Sequence, residues 1–90
     1  MYKNKYCLIT GGAGLLGPEH ASSLAEIGFN IILIDIRHKE LQKKKYLLKK
    51  KFPDKDILHF VCDITKENSV LSLHKKLKKK NIFKSVLFNN

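Results

Sequence analysis

Arginine is nearly missing from this chain. Of its 18 basic residues only Arg37 is an arginine; the rest are lysines. Nucleic-acid sites favour arginine forks for phosphates and guanine edges. The net charge of +10, gathered in lysine runs at 43–45, 49–51 and 78–80, is therefore read as solvated helix faces. A lysine-rich nucleic-acid-binding module remains the competing class. Cysteine is also scarce. Cys7 and Cys62 sit inside apolar runs without CxxC spacing, which speaks against a disulfide framework and for buried, reduced thiols in a cytoplasmic protein. No apolar run approaches the ~18 residues of a membrane span. The stretch after the first lysines ends at Gly11, too short for a signal peptide's apolar core, so no membrane partner is expected. The four histidines offer no pair at metal spacing, and no metal is expected. Ser69, Ser72 and Ser85 lack the base and orienting group that would make one a nucleophile.

What is present suits one small globular domain of 90 residues, 43% of them hydrophobic. Four apolar runs stand out: Tyr6 to Thr10, Ile31 to Ile36, Ile57 to Cys62, and one beginning at Val86. They are continuous rather than alternating, as in strands covered on both faces. Helical spacing fills the intervals. The first helix is expected over Leu16 to Ile27, with Pro18 in its first turn and Gly28 as its cap. The second is expected over His38 to Lys51, stopped by Pro53, and the third over Lys66 to Lys80 with Thr65 as N-cap. This β-α-β-α-β-α-β order predicts an α/β fold of Rossmann-like type. Its parallel sheet would have order 3-2-1-4, with helices on both faces. A flavodoxin-type sheet is the alternative arrangement.

The segment ITGGAGLLG, residues 9–17, places glycines at 11, 12, 14 and 17 where the first strand meets the first helix. A helix start presents free N–H donors and the positive end of the helix dipole. A bend without side chains lets a pyrophosphate approach them. Asp35 closes the second strand near the offset expected for an acid that holds an adenosine ribose. A carboxylate there accepts hydroxyl hydrogen bonds and repels a 2′-phosphate. Like unit charges ~4 Å apart cost about 1 kcal/mol in water and about 4 at an effective dielectric of 20. NAD is accordingly expected over NADP, a preference weakened by Arg37, which could swing toward a phosphate.

These residues resemble the short-chain dehydrogenase/reductase family. TGGAGLLG (10–17) is similar to its nucleotide loop, IDI (34–36) to its acid after strand two, CDI (62–64) to its Asp-aliphatic pair, and FNN (88–90) to the start of its Asn-Asn-Ala-Gly motif. The resemblance implies that Gly11, Gly14 and Gly17, with Leu15 and Leu16, face the pyrophosphate and the nicotinamide-side ribose. It places Asp35, Ile36 and Arg37 around the adenosine ribose, Asp63 and Ile64 beside the adenine, and Asn89 over the adenosine end. The wording GGAGLLGPEHA most resembles bacterial members tied to surface-sugar or flagellin-glycan modification. The spacing of Gly14 also matches the extended branch of epimerases and dehydratases, whereas Asn89-Asn90 matches the shorter branch.

The family's chemistry uses a serine and a Tyr-x-x-x-Lys pair after strand four. Residues 1–90 are therefore expected to be the N-terminal, dinucleotide-binding portion, truncated at the Asn-Asn motif, with no catalytic residue and no activity of its own. Its exposed fourth strand is expected to favour self-association. The intact enzyme is expected to be a homo-oligomer acting on a small alcohol, ketone or sugar. Tyr46 and Lys50 reproduce the spacing, but on the outside of the second helix, away from the carboxyl ends of the strands where such sheets bind ligands.

Overall fold

A computed structural model describes residues 4–14 and 16–89, without the side chains of Leu16 and Asn89. The elements run β1 (Tyr6–Thr10), α1 (Leu16–Glu26), β2 (Asn30–Asp35), α2 (His38–Lys51), β3 (Ile57–Val61), α3 (Glu67–Lys79) and β4 (Val86–Asn89). All pairings are parallel and the order is β3-β2-β1-β4.

The unbroken apolar runs have a direct cause. In β2, Ile31 and Leu33 face one side and Ile32 and Ile34 the other, and every residue of the strand is buried. On the first side, Ala21 and Ala25 of α1 and Leu41 and Leu48 of α2 close over Cys7, Ile9, Ile31 and Leu33. On the second, Leu73 and Leu77 of α3 close over Leu8, Ile32, Ile34 and Val86. Small alanines bring α1 close to the sheet, so its first turn comes down onto the end of β1. Both cysteines are buried free thiols, and burial pushes the Cys7 thiol pKa up. No helix among the described residues is long and apolar enough to cross a membrane.

Helix ends explain where the boundaries fall. Gly28 adopts φ +115°, its N–H donates to the Ala25 carbonyl and the Phe29 N–H to that of Leu24, which terminates α1 in a Schellman motif. The end of α3 repeats this pattern with Asn81 at φ +61°, its N–H on Lys78 O and the Ile82 N–H on Leu77 O. Two sequence expectations change. Thr65 is not the N-cap of α3: Lys66 holds that position without a side-chain cap bond, and the Thr65 hydroxyl donates to Asp63 Oδ1 instead. Ile36 lies just past β2, 64% exposed, because the ladder to β3 ends at the Asp35–Val61 pair. A single 3-10 turn, Phe83–Ser85, precedes β4 and was not anticipated.

Candidate functional site

The parallel strands all point their carboxyl ends at one edge, where the β1–α1 bend, Asp35 and the β3–α3 bend meet. The β1–α1 bend is built tightly. Gly11 takes φ +64°, and its carbonyl accepts the Gly14 N–H at 2.9 Å. A Cβ on Gly12 would stand 2.8 Å from Leu33 Cβ, and one on Gly17 would stand 2.5 Å from the Gly11 carbonyl oxygen. Each of these glycines therefore answers a need of the turn itself: a left-handed residue, contact with β2, and contact between helix and turn. Only on Gly11 would a Cβ point into open space.

The amides of the bend are mostly committed. Gly12 N–H donates to Ile34 O at 2.9 Å, Ala13 N–H to Asp35 Oδ2 at 3.2 Å, and Gly14 N–H to Gly11 O. Donors for a ligand must come instead from the first turn of α1, whose amides have no intrahelical acceptor. Leu16 and Gly17 open that turn, while Pro18 has no N–H to give. Leu15, the Leu16 and Asn89 side chains, and Asn90 lie outside the described residues. The Asn89 backbone pairs with Ile9 in register.

Asp35 is the hub of the edge. Only 8% exposed, it accepts four hydrogen bonds. Oδ1 takes the Arg37 N–H at 3.0 Å and Arg37 Nε at 3.1 Å; Oδ2 takes Arg37 Nη2 at 3.1 Å and the Ala13 amide. The Arg37 guanidinium is the main reason the carboxyl pKa is held down at about 2, against the opposing effect of burial. The sequence reading expects an open acceptor at Asp35. The structure shows an ionised acceptor already closed by Arg37, whose side chain is 53% exposed. Arg37 Nη2 also lies against the bend, 3.6 Å from where a Cβ on Gly14 would be. Gly11, Gly14, Gly17, Asp35 and Arg37 thus form one constellation, with Ala13 as a member that no sequence signal marked.

Asp63 and Ile64 occupy the neighbouring bend, joined to the first where the Cys62 N–H donates to Asp35 O at 3.1 Å. Asp63 Oδ1 accepts the Thr65 N–H at 3.0 Å and the Thr65 hydroxyl at 2.6 Å, and that hydroxyl is the first cause of its lowered pKa. The Asp63 amide donates to Ser69 Oγ at 2.9 Å. Beside this bend a cavity of about 300 Å³ opens under α3, with Thr10, Ile34, Cys62, Ile64, His74 and Phe88 among its walls.

Other sequence features lie away from this edge. Tyr46 is exposed on the outer surface of α2, with Lys50 Nζ 5.9 Å from its ring centre. His38 and His59 pack with ring centres 6.0 Å apart; burial, then Lys45 and His38, lower the His59 pKa. No group of three or more His, Cys, Asp or Glu residues among the described residues is arranged to hold a metal.

Comparison with known proteins agrees with this architecture. Residues 5–90 match the family described as short chain dehydrogenase. The short chain dehydrogenase/reductase dpfgG of Gibberella zeae is 33% identical over 86 residues, covering 96% of this chain and 31% of that protein. The NAD+-bound xylitol dehydrogenase superposes with TM-score 0.79 at 30% identity, covering 88% of this chain and 30% of the other. Levodione reductase gives TM-score 0.79 at 28% identity, with 89% and 31% covered. The chain spans about a third of the length of each of these three proteins. With its parallel sheet, glycine bend and strand-end acids in place, the chain belongs to the short chain dehydrogenase family.

Proposed function

We propose that residues 1–90 are the dinucleotide-binding part of an NAD(P)-dependent oxidoreductase. The whole protein would interconvert a hydroxyl and a carbonyl carbon. The observation that carries this reading is the Ala13–Asp35 hydrogen bond, which ties the glycine bend to the acid at the end of β2. It holds an ionised carboxylate beside the amino end of α1, so a diphosphate donor set and a ribose site share one rigid edge.

The residues present fit the group. Gly11 leaves open space above the bend, and the first-turn amides of α1 carry the positive end of the helix dipole. Leu15, Leu16, Gly14 and Gly17 would border the diphosphate and the nicotinamide-side ribose. Asp35, Ile36 and Arg37 would surround the adenosine ribose. Asp63 would meet the adenine amino group, with Ile64 against the ring and Asn89 over the adenosine end. The dinucleotide, when bound, supplies or accepts the hydride. The chain's own residues bind and orient it, and none within 1–90 is proposed as a catalytic acid or base.

NAD is the cofactor proposed from Asp35, and NADP is a second reading favoured by the Arg37 guanidinium beside Gly14. Similarity to a xylitol dehydrogenase supports a hydroxylated, sugar-like substrate class. Calorimetric titration with NADH is the test, run beside duplex DNA at rising salt. Saturable NADH binding is expected. No NADH binding, together with DNA binding that falls steeply with salt, would replace this reading with a lysine-rich nucleic-acid module.

A further inference from the structure

We infer that the amino edge of the sheet, opposite the proposed dinucleotide edge, is a docking surface for anionic lipid headgroups. The inference goes beyond the cofactor reading and uses none of its residues.

Topology gathers the charge. Each helix runs back against the parallel strands, so helix ends and strand starts meet at one edge. The last turn of α2 holds Lys49, Lys50 and Lys51, and that of α3 holds Lys76, Lys78 and Lys79. Lys80 caps α3, and Lys5, Lys55 and Lys84 stand in the segments that lead into β1, β3 and β4. Among the described residues, the acids at this edge are Glu26, Asp54 and Asp56, and Asp54 is paired with Lys55 at 3.5 Å. At the opposite edge the balance reverses: Glu19, Asp35, Glu40, Asp63 and Glu67 outnumber Arg37, Lys39 and Lys66. Lysine in a last turn complements the helix dipole. That does not account for Lys5, Lys55 and Lys84, which stand outside the α-helices, and α1 has no basic residue in its last turn.

Shape and chemistry select the partner. Tyr6 is level with both Asn30 and Val86, and Ile57 starts opposite Ile31, so the strand starts lie nearly level. A level edge fits a plane better than a groove. Before β4, a hollow of about 400 Å³ is lined by Lys78, Asn81, Phe83 and Lys84. Two ammonium groups and a side-chain amide there offer donors to a headgroup phosphate. Lys78 Nζ stands over the Phe83 ring, 5.2 Å from its centre. Ile27, just past α1, is 61% exposed at the same edge and can enter the interfacial layer. A duplex would meet Ile27 with sugar and phosphate, and its sites favour arginine over lysine. No described helix is long and apolar enough to cross a bilayer. The expectation of no membrane partner rests on crossing, whereas this contact is adsorption to the surface.

The test is co-sedimentation of the chain with vesicles. Phosphatidylcholine alone is compared with vesicles in which about a third of the lipid is phosphatidylserine, an anionic class that lysine clusters bind. Binding is expected only to the second and should weaken as salt rises. Lys78→Gln with Lys84→Gln should weaken it roughly tenfold to thirtyfold, a few-fold for each lysine. Lys43→Gln with Lys44→Gln, about two helical turns from the edge and so about a Debye length away, should weaken it about twofold or less. Circular dichroism checks that each variant folds. Equal losses from the two pairs would show diffuse attraction and overturn the edge. Equal binding to both vesicle types, or to neither, overturns the inference, as does tighter binding to duplex DNA at equal phosphate. Should the Lys78 and Lys84 variant not fold, deuterium exchange of wild type decides: amides of residues 80–85 must slow on anionic vesicles while those of 35–38 do not, and no difference refutes the inference. NADH affinity in solution should be the same for wild type and this variant, so failure here leaves the dinucleotide reading standing.

Discussion

Two aspartates stand at the carboxyl ends of neighbouring parallel strands, Asp35 as the last residue of β2 and Asp63 two residues past the end of β3, and they are wired in opposite ways. Asp35 is buried and reaches across the chain, to Ala13 twenty-two positions earlier and to Arg37. Asp63 is half-buried and bonds to Thr65 two residues on, within its own turn. The first joins separate elements; the second shapes one loop. Residues of the same type, at the same kind of place, differ in what their loss should do. A cross-chain acid supports the geometry of the whole edge, whereas a local one supports only its turn.

The largest expected effect comes from forcing the first bend open. Gly17→Ala would push a Cβ against backbone on two sides, Gly11 O at 2.5 Å and Gly12 Cα at 3.0 Å. Urea unfolding should show a loss of about 3 kcal/mol. Gly14→Ala, whose nearest neighbour would lie at 3.2 Å, should lose about 1 kcal/mol or less. Next is Asp35→Asn, which replaces an acceptor facing four donors with a group that is itself half donor. A loss of about 2 kcal/mol is expected, with a clearly smaller fall for Asp63→Asn in the same assay. Equal losses would erase the distinction between the two acids.

Acid titration sharpens the contrast. The folded Asp35 pKa of about 2 lies below its ordinary value of 3.8, so its stabilisation is present above that value. It is lost as pH falls from about 4 toward 2. The expected loss is about 1 kcal/mol, less than full linkage would give because Arg37 stands half in solvent. In Arg37→Leu this acid-labile increment should shrink, which thermal melts across that range would detect. The smallest effect is expected at the second bend: Thr65→Val removes an exposed hydroxyl and should change stability by about 0.5 kcal/mol or less.

Much of this was legible in residue order. Strand β1 and helix α2 have the bounds that their apolar run and Pro53 imply, because each is fixed by local pattern and a local stop. The sheet order follows from alternation and crossover handedness. What escaped was settled by side-chain direction. Thr65 looked like a cap, yet its hydroxyl found a nearer acceptor in Asp63. Gly12 read with the others as room for a ligand, but its contact with Leu33 requires it, whereas a close-packing role for Gly17 was legible from its place one turn into the helix. Arg37 was visible as a charge near the site, but no pattern shows whether an arginine points outward or folds back on its neighbour. Asn81 ends α3 in a left-handed conformation that asparagine tolerates without announcing.

Strand β2 lies between two parallel partners, so both of its edges are hydrogen-bonded, and helices seal both of its faces. Solvent deuterium can reach its amides only when the sheet comes apart. The Ile31–Ile34 amides should thus be the last to exchange, at a rate reporting global opening. Their exchange would then time the opening of the whole sheet rather than of any one edge.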